Sequence, residues 1–380
     1  MVDGSPSRER TLREEVKELA AGRAPFTSIY LPVDRTREDA AHQLELGWRH
    51  LGEDLAAQGA PSELIDRLGA LVLAERHGGT IAVVADADGN VVERTLPMVE
   101  AGPMALHGPL PHLAPLAAAA QGNPPCVGAL VDRRGGDIVT VADGVRMVDD
   151  ESVDGDPRAP ITKVHAGGWS QRRIQQRAEN TWEGNAAMVA EEVAAAAREV
   201  RAAVVVVAGD ERAVALLRDH AAHELRGLLH IVDTGGRAVD GSEDELQEAI
   251  ERTVATEVAR ATADVLERFV ELRERRAEVA DGPGATFAAL REALVAELLL
   301  HAPAEDERSA WFDPTAPTLV AGEARTLRDL GVEPVEAPLV DVAIWSALGS
   351  GAEVRLVPGA GPNVPREGLG AFVRGPVASE

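Results

Sequence analysis

The run AAVVVVAGDERAVALLRDH at residues 202–220 constrains the fold more than any other stretch of the sequence. Its first half is continuously apolar and β-branched, whereas its second half has the apolar spacing of a helix. A strand that is apolar at every position is typical of a parallel sheet covered on both faces. The run therefore predicts an α/β fold. Its AGDERAV turn indicates an ordinary strand-to-helix connection, because neither GxGxxG nor GxxxxGK[ST] is present to bind phosphate.

Strand-like and helix-like runs alternate along the rest of the chain, which predicts a mixed α/β (α+β) class. Strands are predicted at 26–33, 80–97 (a hairpin with an Asp-Gly-Asn turn), 126–144 (a hairpin turning at Gly135-Gly136), 202–208, 228–236, 318–322 and 353–359. Helices are predicted at 8–22, 36–58, 62–77, 178–200, 210–220, 242–276, 286–301 and 338–349. The acidic run 149–156 lacks the spacing of a calcium loop and is predicted to be a solvated loop.

Two segments rich in turn formers mark candidate domain boundaries. A proline-rich stretch ends at residue 125, and Asp-Gly-Pro-Gly follows a long predicted helix at 281–284. A chain of 380 residues is long enough for two or three domains. We therefore predict three domains, at 1–125, 126–280 and 281–380, of which the last is a small α/β/α sandwich.

Composition excludes several classes of protein. With 45% hydrophobic and 27% charged residues, the chain has the profile of a folded globular protein. No apolar run reaches the roughly 18 residues that span a bilayer, so we predict a cytoplasmic protein with no membrane partner. The one cysteine, Cys126, lies in an apolar run and is expected to be a buried core residue. His220 and His223 are the best-spaced histidines, but no third ligand accompanies them, so neither a metal nor another cofactor is predicted.

One segment has the opposite charge to the rest of the chain, whose net charge is −25. Residues 158–177 contain five cations and no Asp or Glu, around a centre that reads KVHAGGWSQ. A charge cluster is usually a solvated face. Here the paired glycines let the backbone approach a ligand closely, arginines bind phosphates in a bidentate manner, and Trp and Gln can stack on or hydrogen-bond to bases. The combination favours an extended loop that inserts among RNA phosphates.

This segment also resembles a known family. Residues 163–183 are similar to the central-domain loop of the archaeo-eukaryotic release factor superfamily, in which Lys-His leads into Gly-Gly-Gln, arginines and a helix. The matching residues here are Lys163, His165, Gly167, Gly168, Gln171, Arg172, Arg173 and Arg177. The ending PREGLGAFVRGP resembles the close of the family's C-terminal domain, through Glu367, Gly368 and Gly370.

The resemblance implies an architecture as well as a motif. It implies an N-terminal α/β domain on the decoding-centre side, a central RNase H-like domain, and a C-terminal domain like that of the L7Ae/L30e ribosomal proteins. The bacterial members of the superfamily are the most similar. Pelota-like rescue factors, the Balon-like hibernation factors and the Gly-Ser-Gln peptidyl-tRNA hydrolases are relatives.

The motif departs from the family pattern at two positions. Trp169 and Ser170 separate the glycines from Gln171. If Ser-Gln is aligned instead, the loop resembles the Gly-Ser-Gln of peptidyl-tRNA-cleaving relatives, and Trp169 then occupies a glycine position, where a positive φ would cost about 1–2 kcal/mol. The N-terminal region contains no Asn-Ile-Lys-Ser stretch, so stop-codon decoding is not predicted.

Two functions from different classes follow from the resemblance. The first is a ribosome A-site-binding translation factor of the hibernation or rescue type, which contacts rRNA near the peptidyl-transferase centre and meets a translational GTPase such as elongation factor Tu. Its implied RNA-binding residues are Lys163, His165, Trp169, Arg172, Arg173, Gln175 and Arg177.

The alternative is an enzyme that hydrolyses peptidyl-tRNA to release stalled chains. Gln171 would position water through its backbone amide, and Gly167, Gly168 and Ser170 would shape the loop. No side chain in the motif is a convincing general base, so catalysis would depend on positioning. A binding module that kept the fold and no longer binds the ribosome is a third possibility.

Overall fold

The computed structural model describes residues 12–33, 40–74, 79–96, 102–132, 135–141, 150–154, 169–232, 242–275, 277–303, 306–359, 361 and 363–375. Over these ranges helices accompany several sheets, which confirms the predicted mixed α/β class. Backbone contacts group the chain into two compact units, which we call the terminal unit (Met1–Gln121 with Ala261–Glu380) and the central unit (Gly122–Arg260). The division into three domains, with RNase H-like and L7Ae/L30e-like members, stays a prediction.

The N-terminal part of the terminal unit is built on an antiparallel sheet. In chain order, its described elements are α1 (Leu12–Ala20), β1 (Phe26–Val33), α2 (Ala40–Ala57), α3 (Ser62–Val72), β2 (Gly79–Ala85), β3 (Val91–Leu96), β4 (Met104–Gly108) and α4 (Ala114–Gly122). The strands lie in the order β3-β2-β1-β4. Ile29 and Leu31 face α2 and α3, whereas Tyr30 faces the opposite side. The sheet is therefore buried on both faces.

The predicted Asp-Gly-Asn hairpin is confirmed, but the proline-rich segment holds two elements that the sequence did not predict. In the hairpin turn, Asp86 Oδ1 accepts hydrogen bonds from the Asp88 and Asn90 N–H groups at 3.0 and 2.9 Å. In the proline-rich segment, β4 ends before Pro109, and Pro115 lies in the first turn of α4. Proline is tolerated there because the first N–H groups of a helix have no intrahelical acceptor.

The central unit contains the parallel strands that the opening run predicts. Its described elements are β5 (Cys126–Val131), β6 (Gly135–Val141), β7 (Asp150–Asp154), α5 (Trp169–Val200), β8 (Val204–Gly209), α6 (Glu211–His220), α7 (His223–Arg226), β9 (Leu229–Ile231) and the first part of α8 (Ser242–Glu274). The sheet order is β7-β6-β5-β8-β9, and β8 is parallel to β5 and β9. Val205 and Val207 face α5 and α6, whereas Val204 and Val206 face α8, which explains the continuous apolar run.

Three sequence predictions in the central unit need correction. The acidic run is not a loop, because Asp150–Asp154 forms the edge strand β7, antiparallel to β6. Gly135 and Gly136 begin β6, so the hairpin turn precedes them. The extended loop predicted through Arg177 is wrong from Trp169 onward, because α5 begins there. Gln, Arg, Ile and Ala dominate the start of α5 and favour helix over a loop.

The C-terminal part of the terminal unit adds two sheets. Its described elements are β10 (Val279–Asp281), α9 (Pro283–Arg291), β11 (Val295–Leu300), β12 (Ser309–Asp313), β13 (Ala316–Ala321), α10 (Ala324–Asp329), β14 (Val335–Pro338), α11 (Leu339–Gly349), β15 (Glu353–Leu356) and β16 (Leu369–Val373). The sheet orders are β10-β16-β11-β15 and β13-β12-β14. The helix predicted at 286–301 is wrong in its second half. Ala293 at φ +54° ends α9, and the apolar residues that follow form β11 between β15 and β16.

The two parts of the terminal unit share one hydrophobic core. Tyr30 and Leu116 from the N-terminal part belong to the same buried cluster as Phe312 and Trp345 from the C-terminal part. Exposed ion pairs join the same regions, since Lys17 Nζ lies 2.9 Å from Glu353 Oε1. The terminal unit is therefore assembled from chain segments that the whole central unit separates in sequence.

Two edge strands of the terminal unit are capped by glutamine side chains. The Gln58 amide donates to Ala105 O at 3.0 Å and accepts from the His107 N–H at 2.8 Å, along the edge of β4. The Gln121 amide donates to Leu356 O and accepts from its N–H, both at 2.8 Å, along the edge of β15. Each side chain takes the place of another strand at a position where unpaired backbone groups invite association.

Removal of one cap should weaken the terminal unit. We expect Gln121→Ala to lower the free energy of unfolding by about 1–2 kcal/mol, since each of two hydrogen bonds contributes about 0.5–1.5 kcal/mol. The opened edge of β15 should also increase self-association. Urea denaturation and sedimentation velocity measure the two effects. Gln247→Ala, which removes only the exposed contact with Glu251, is the control, and equal effects in the two variants would contradict a role for the cap.

Candidate functional site

The structure places only part of the predicted motif. Lys163, His165, Gly167 and Gly168 lie outside the described residues. The remaining candidates all lie in the first turns of α5: Trp169, Ser170, Gln171, Arg172, Arg173, Gln175 and Arg177. The structure therefore brings the second half of the motif together on one continuous helix.

The connection that carries the motif leaves the central sheet at a defined edge. The last residue of β7, Asp154, pairs with Gly135 at the start of β6. Gly136 pairs with Val131, the last residue of β5. Val131 in turn pairs with Gly209, the last residue of β8. These positions form the carboxyl edge of the parallel strands. That edge is where open α/β sheets bind their ligands.

Helix α5 is anchored on this sheet by its C-terminal half. Val189 and Val193 are buried, at 2% and 0% exposure. A Cβ added to Gly136 would lie only 2.9 Å from Val189 Cγ1. Val189 therefore lies beside the carboxyl edge of the sheet. After the helix ends, the Ala203 N–H donates to Pro125 O at 2.7 Å, at the amino edge. The helix thus runs from the carboxyl edge to the amino edge.

A long stretch of α5 precedes the residues that anchor it. Asn185 and Ala186 are still buried at 7% exposure, and Glu183 Oε1 lies 3.8 Å from His220 Nε2 at the end of α6. Trp169 is 16 residues before Asn185, which corresponds to about 24 Å of helix at 1.5 Å per residue. The candidate residues therefore lie at the end of α5 remote from its anchored half.

Two aspartates described at the carboxyl edge hydrogen-bond to the backbone. Asp210 Oδ1 accepts the Arg212 and Ala213 N–H groups at 3.1 and 3.2 Å and caps α6. Asp132 Oδ1 accepts the Gly135 N–H at 2.9 Å. Gly209 has φ +129°, and a Cβ there would lie 1.9 Å from Val131 O, so only glycine fits. The AGDERAV turn is thus a strand-to-helix connection shaped by packing.

The other chemical candidates have structural roles or stand apart. Cys126 is buried at 2% exposure, and burial raises the pKa of its thiol to about 11, as expected for an inert core residue. His220 ends α6 and His223 begins α7, so the pair is not on one helix. The described ranges contain no group of three His, Cys, Asp or Glu residues placed to hold a metal ion.

The Glu-Gly-Leu-Gly stretch near the C-terminus forms the turn into β16. Glu367 has φ +55°, and Arg308 Nη1 donates to its carbonyl oxygen at 2.7 Å. A Cβ on Gly370 would lie 2.8 Å from Pro365 and 2.9 Å from Phe269. These positions are explained by backbone conformation and close packing. Sequence reasoning missed Arg308, because only the folded chain brings it to Glu367.

Comparison with known proteins gives the class of the central unit. Residues 125–275 match the model of the bacterial archaeo-eukaryotic release factor family 2. This range contains β5 through α8, including the parallel strands, α5 and the candidate motif. The central part is therefore a release-factor-type α/β domain. Over these residues, the chain is similar to the bacterial members of the archaeo-eukaryotic release factor superfamily.

Matches over the whole chain are more distant. An uncharacterized protein of Mycobacterium tuberculosis strain H37Rv, Rv2629, is 25% identical over 368 residues, which cover 95% of this chain and 96% of that protein. Archaeal translation termination factor aRF1 is 17% identical, covering 97% and 100% of the two chains, with a TM-score of 0.26. Ribosome-bound archaeal Pelota is 14% identical, covering 97% and 96%, with a TM-score of 0.40. Because both TM-scores lie below 0.5, we place the chain by its central-domain match. No helix among the described residues is both long and apolar enough to cross a bilayer.

The helical start of α5 can be tested by substitutions in its backbone. Ala178→Pro should remove the protection from hydrogen exchange that helix gives to residues 169–182, because proline in a helix interior costs about 3 kcal/mol. Gly184→Ala should increase that protection, since alanine favours helix by about 1 kcal/mol and the added Cβ meets nothing within 4 Å. If both variants exchange like the wild type over 169–182, α5 does not extend to Trp169 in solution.

Proposed function

We propose that this protein is a ribosome-binding translation factor of the hibernation or rescue type. In this proposal, segment 163–177 contacts rRNA near the peptidyl-transferase centre. The observation that carries the proposal is the match of residues 125–275 to a bacterial release factor family, because the basic motif lies inside that range. Similarity to this family favours the ribosome as the partner and a cellular location where translation occurs.

Electrostatics supports an RNA contact even though the chain has a net charge of −25. Charges in physiological salt are screened over about 8 Å. The start of α5 is about 24 Å along the helix axis from Asn185, which is roughly three screening lengths. Arg172 and Arg173 precede Asn185 by 13 and 12 residues, about 18–20 Å of helix, so we infer that these positions attract phosphates with little repulsion from the carboxylates around the anchored half of α5.

The remaining partners of the proposal follow from the family resemblance. The N-terminal part of the terminal unit would face the decoding centre. The C-terminal part would meet a translational GTPase, of which elongation factor Tu is the candidate. The acidic surface suits these contacts, because ribosomal proteins are basic and complementary charges steer association.

A second candidate function, peptidyl-tRNA hydrolysis, is favoured by the position of Gln171. It is the third residue of α5. The first four N–H groups of a helix have no intrahelical acceptor, so the Gln171 N–H is available to orient an ester oxygen or an attacking water. In this alternative, catalysis depends on positioning by the protein and the RNA rather than on a general base.

Charge reversal tests the RNA contact. Arg172→Glu with Arg173→Glu should weaken co-sedimentation with vacant 70S ribosomes at least about tenfold and lower the steepness of the salt dependence by about two, one for each lost phosphate contact. The control is Arg325→Glu with Arg328→Glu on the exposed side of α10, which changes the net charge equally. Equal loss of binding in both double variants would show a nonspecific charge effect, and unchanged binding in the first would overturn the proposed contact.

Peptide release separates the two functions. Labelled peptide should stay on ribosomes that carry peptidyl-tRNA if the protein is a hibernation or rescue factor without hydrolytic activity, and Gln171→Ala should keep most of the ribosome affinity. Release that disappears in Gln171→Ala while binding persists would establish the hydrolase instead. Scoring sedimentation and released label in the same reaction keeps binding and chemistry apart.

A further inference from the structure

We propose that His112 and Asp341 form a proton-dependent latch that holds the N-terminal sheet of the terminal unit on α11. This inference is independent of the proposed ribosomal function, because it concerns residues far from the basic motif in sequence. The two residues are separated by 229 positions. His112 lies between β4 and α4, and Asp341 lies in the first turn of α11. The latch therefore joins the two parts of the chain that build the terminal unit.

The geometry of the pair is that of a buried hydrogen bond. His112 Nδ1 lies 2.8 Å from Asp341 Oδ1. The Asp341 side chain is 3% exposed and that of His112 is 16% exposed. Burial strengthens the interaction and also makes an unpaired partner costly.

His112 is fixed to the N-terminal sheet by three further contacts. Its backbone N–H donates to Ser28 Oγ at 3.0 Å, and its carbonyl oxygen accepts from the Tyr30 hydroxyl at 2.6 Å. The ring meets the edge of the Tyr30 ring, with centroids 6.1 Å apart. The backbone of His112 is thus hydrogen-bonded to side chains of β1, whereas its imidazole is hydrogen-bonded to a side chain of α11. Movement of the sheet away from α11 has to break the imidazole–carboxylate contact.

Within the described parts of the chain, Tyr30 and His112 are the titratable groups that interact with Asp341 from the elements packed against it. Burial, and then the charge of Asp341, raise the pKa of Tyr30 well above its ordinary value. Tyr30 therefore keeps its proton and acts as a constant donor. Burial likewise raises the pKa of Asp341, and the hydrogen bond and charge of His112 oppose this effect.

The consequence is a contact that is tighter in acid. When Asp341 holds its proton, the buried carboxyl is uncharged. When that proton leaves, a negative charge lies in a buried position beside the imidazole. The pKa of Asp341 is higher in the folded state than its ordinary value of 3.8. The protonated carboxyl therefore contributes its full stabilisation below pH 3.8. This contribution is lost as the pH rises through the raised folded-state pKa.

Two other described polar contacts between the two parts do not share this behaviour. Glu353 pairs with Arg13 and Lys17, but all three side chains are about half exposed, so these pairs contribute little. The Gln121 cap on β15 carries no charge. Glu353→Gln is therefore a matched control that changes one acid at the same boundary without touching the latch.

Hydrogen exchange tests the latch on the full-length chain. Amide protection of β1 and α11 is measured from pH 4 to 8.5, corrected for the intrinsic exchange rate, in the wild type, Asp341→Asn and Glu353→Gln. We expect protection of both elements to fall together by about tenfold as the pH rises in the wild type and in Glu353→Gln. In Asp341→Asn, an isosteric amide that carries no acidic proton, this shared fall in protection should be absent.

Two results would overturn the proposal. One is a wild-type pH dependence that survives unchanged in Asp341→Asn. The other is wild-type protection of β1 and α11 that does not change across the range. If Asp341→Asn folds poorly, the urea midpoint of His112→Asn at acidic pH is compared with those of the wild type and Glu353→Gln. His112→Asn removes the imidazole partner of Asp341, so its midpoint should lie below both, and a midpoint equal to that of the wild type would overturn the latch.

Discussion

The parallel pairing of β5 with β8 is the constraint on which the placement of the functional segment depends. It fixes the carboxyl ends of the two strands at Val131 and Gly209. The two backbones approach so closely there that only glycine fits at position 209. A helix that enters β8 from its amino end has to run back across the sheet. Only about the last 12 residues of α5, from Val189 to Val200, are needed to cross a six-residue strand. Among the other 20 residues, Asn185 and Ala186 are still buried and Glu183 lies beside His220, and the motif precedes them at the start of the helix.

This arrangement reconciles an acidic protein with an RNA-binding proposal. The acidic residues are spread over exposed faces of both units, whereas the uninterrupted cations occur in one segment of sequence. A basic patch on a flat face of the same domain would lie within a screening length of many carboxylates. Arg172, Arg173 and Arg177 lie in the part of α5 that precedes its anchored half. The length of α5 therefore separates these three positions from the carboxylates around the sheet of the central unit.

The sequence predicts the elements whose patterns have one interpretation. The apolar run of β8, the β2–β3 hairpin and the long helix α8 belong to this group. The apolar run at 295–300 has no periodicity that distinguishes a buried strand from a helix. It is a strand because it pairs with β15 and β16 in the folded chain. The motif itself is visible in sequence, but its helical start is not, because paired glycines suggest a loop while the residues after them favour a helix.

The contacts that assemble the terminal unit lie beyond any local pattern. His112 and Asp341 are not distinguished by spacing or neighbours, and nothing in the sequence links them across the central unit. Stability alone does not explain their presence, because apolar pairs in such positions are often equally or more stabilising. The shared core of Tyr30, Leu116, Phe312 and Trp345 already supplies apolar burial. A buried imidazole–carboxylate pair instead favours a single arrangement of the sheet on α11. If the sheet slid along α11, the apolar contacts would be kept, but a carboxylate would be buried without its partner.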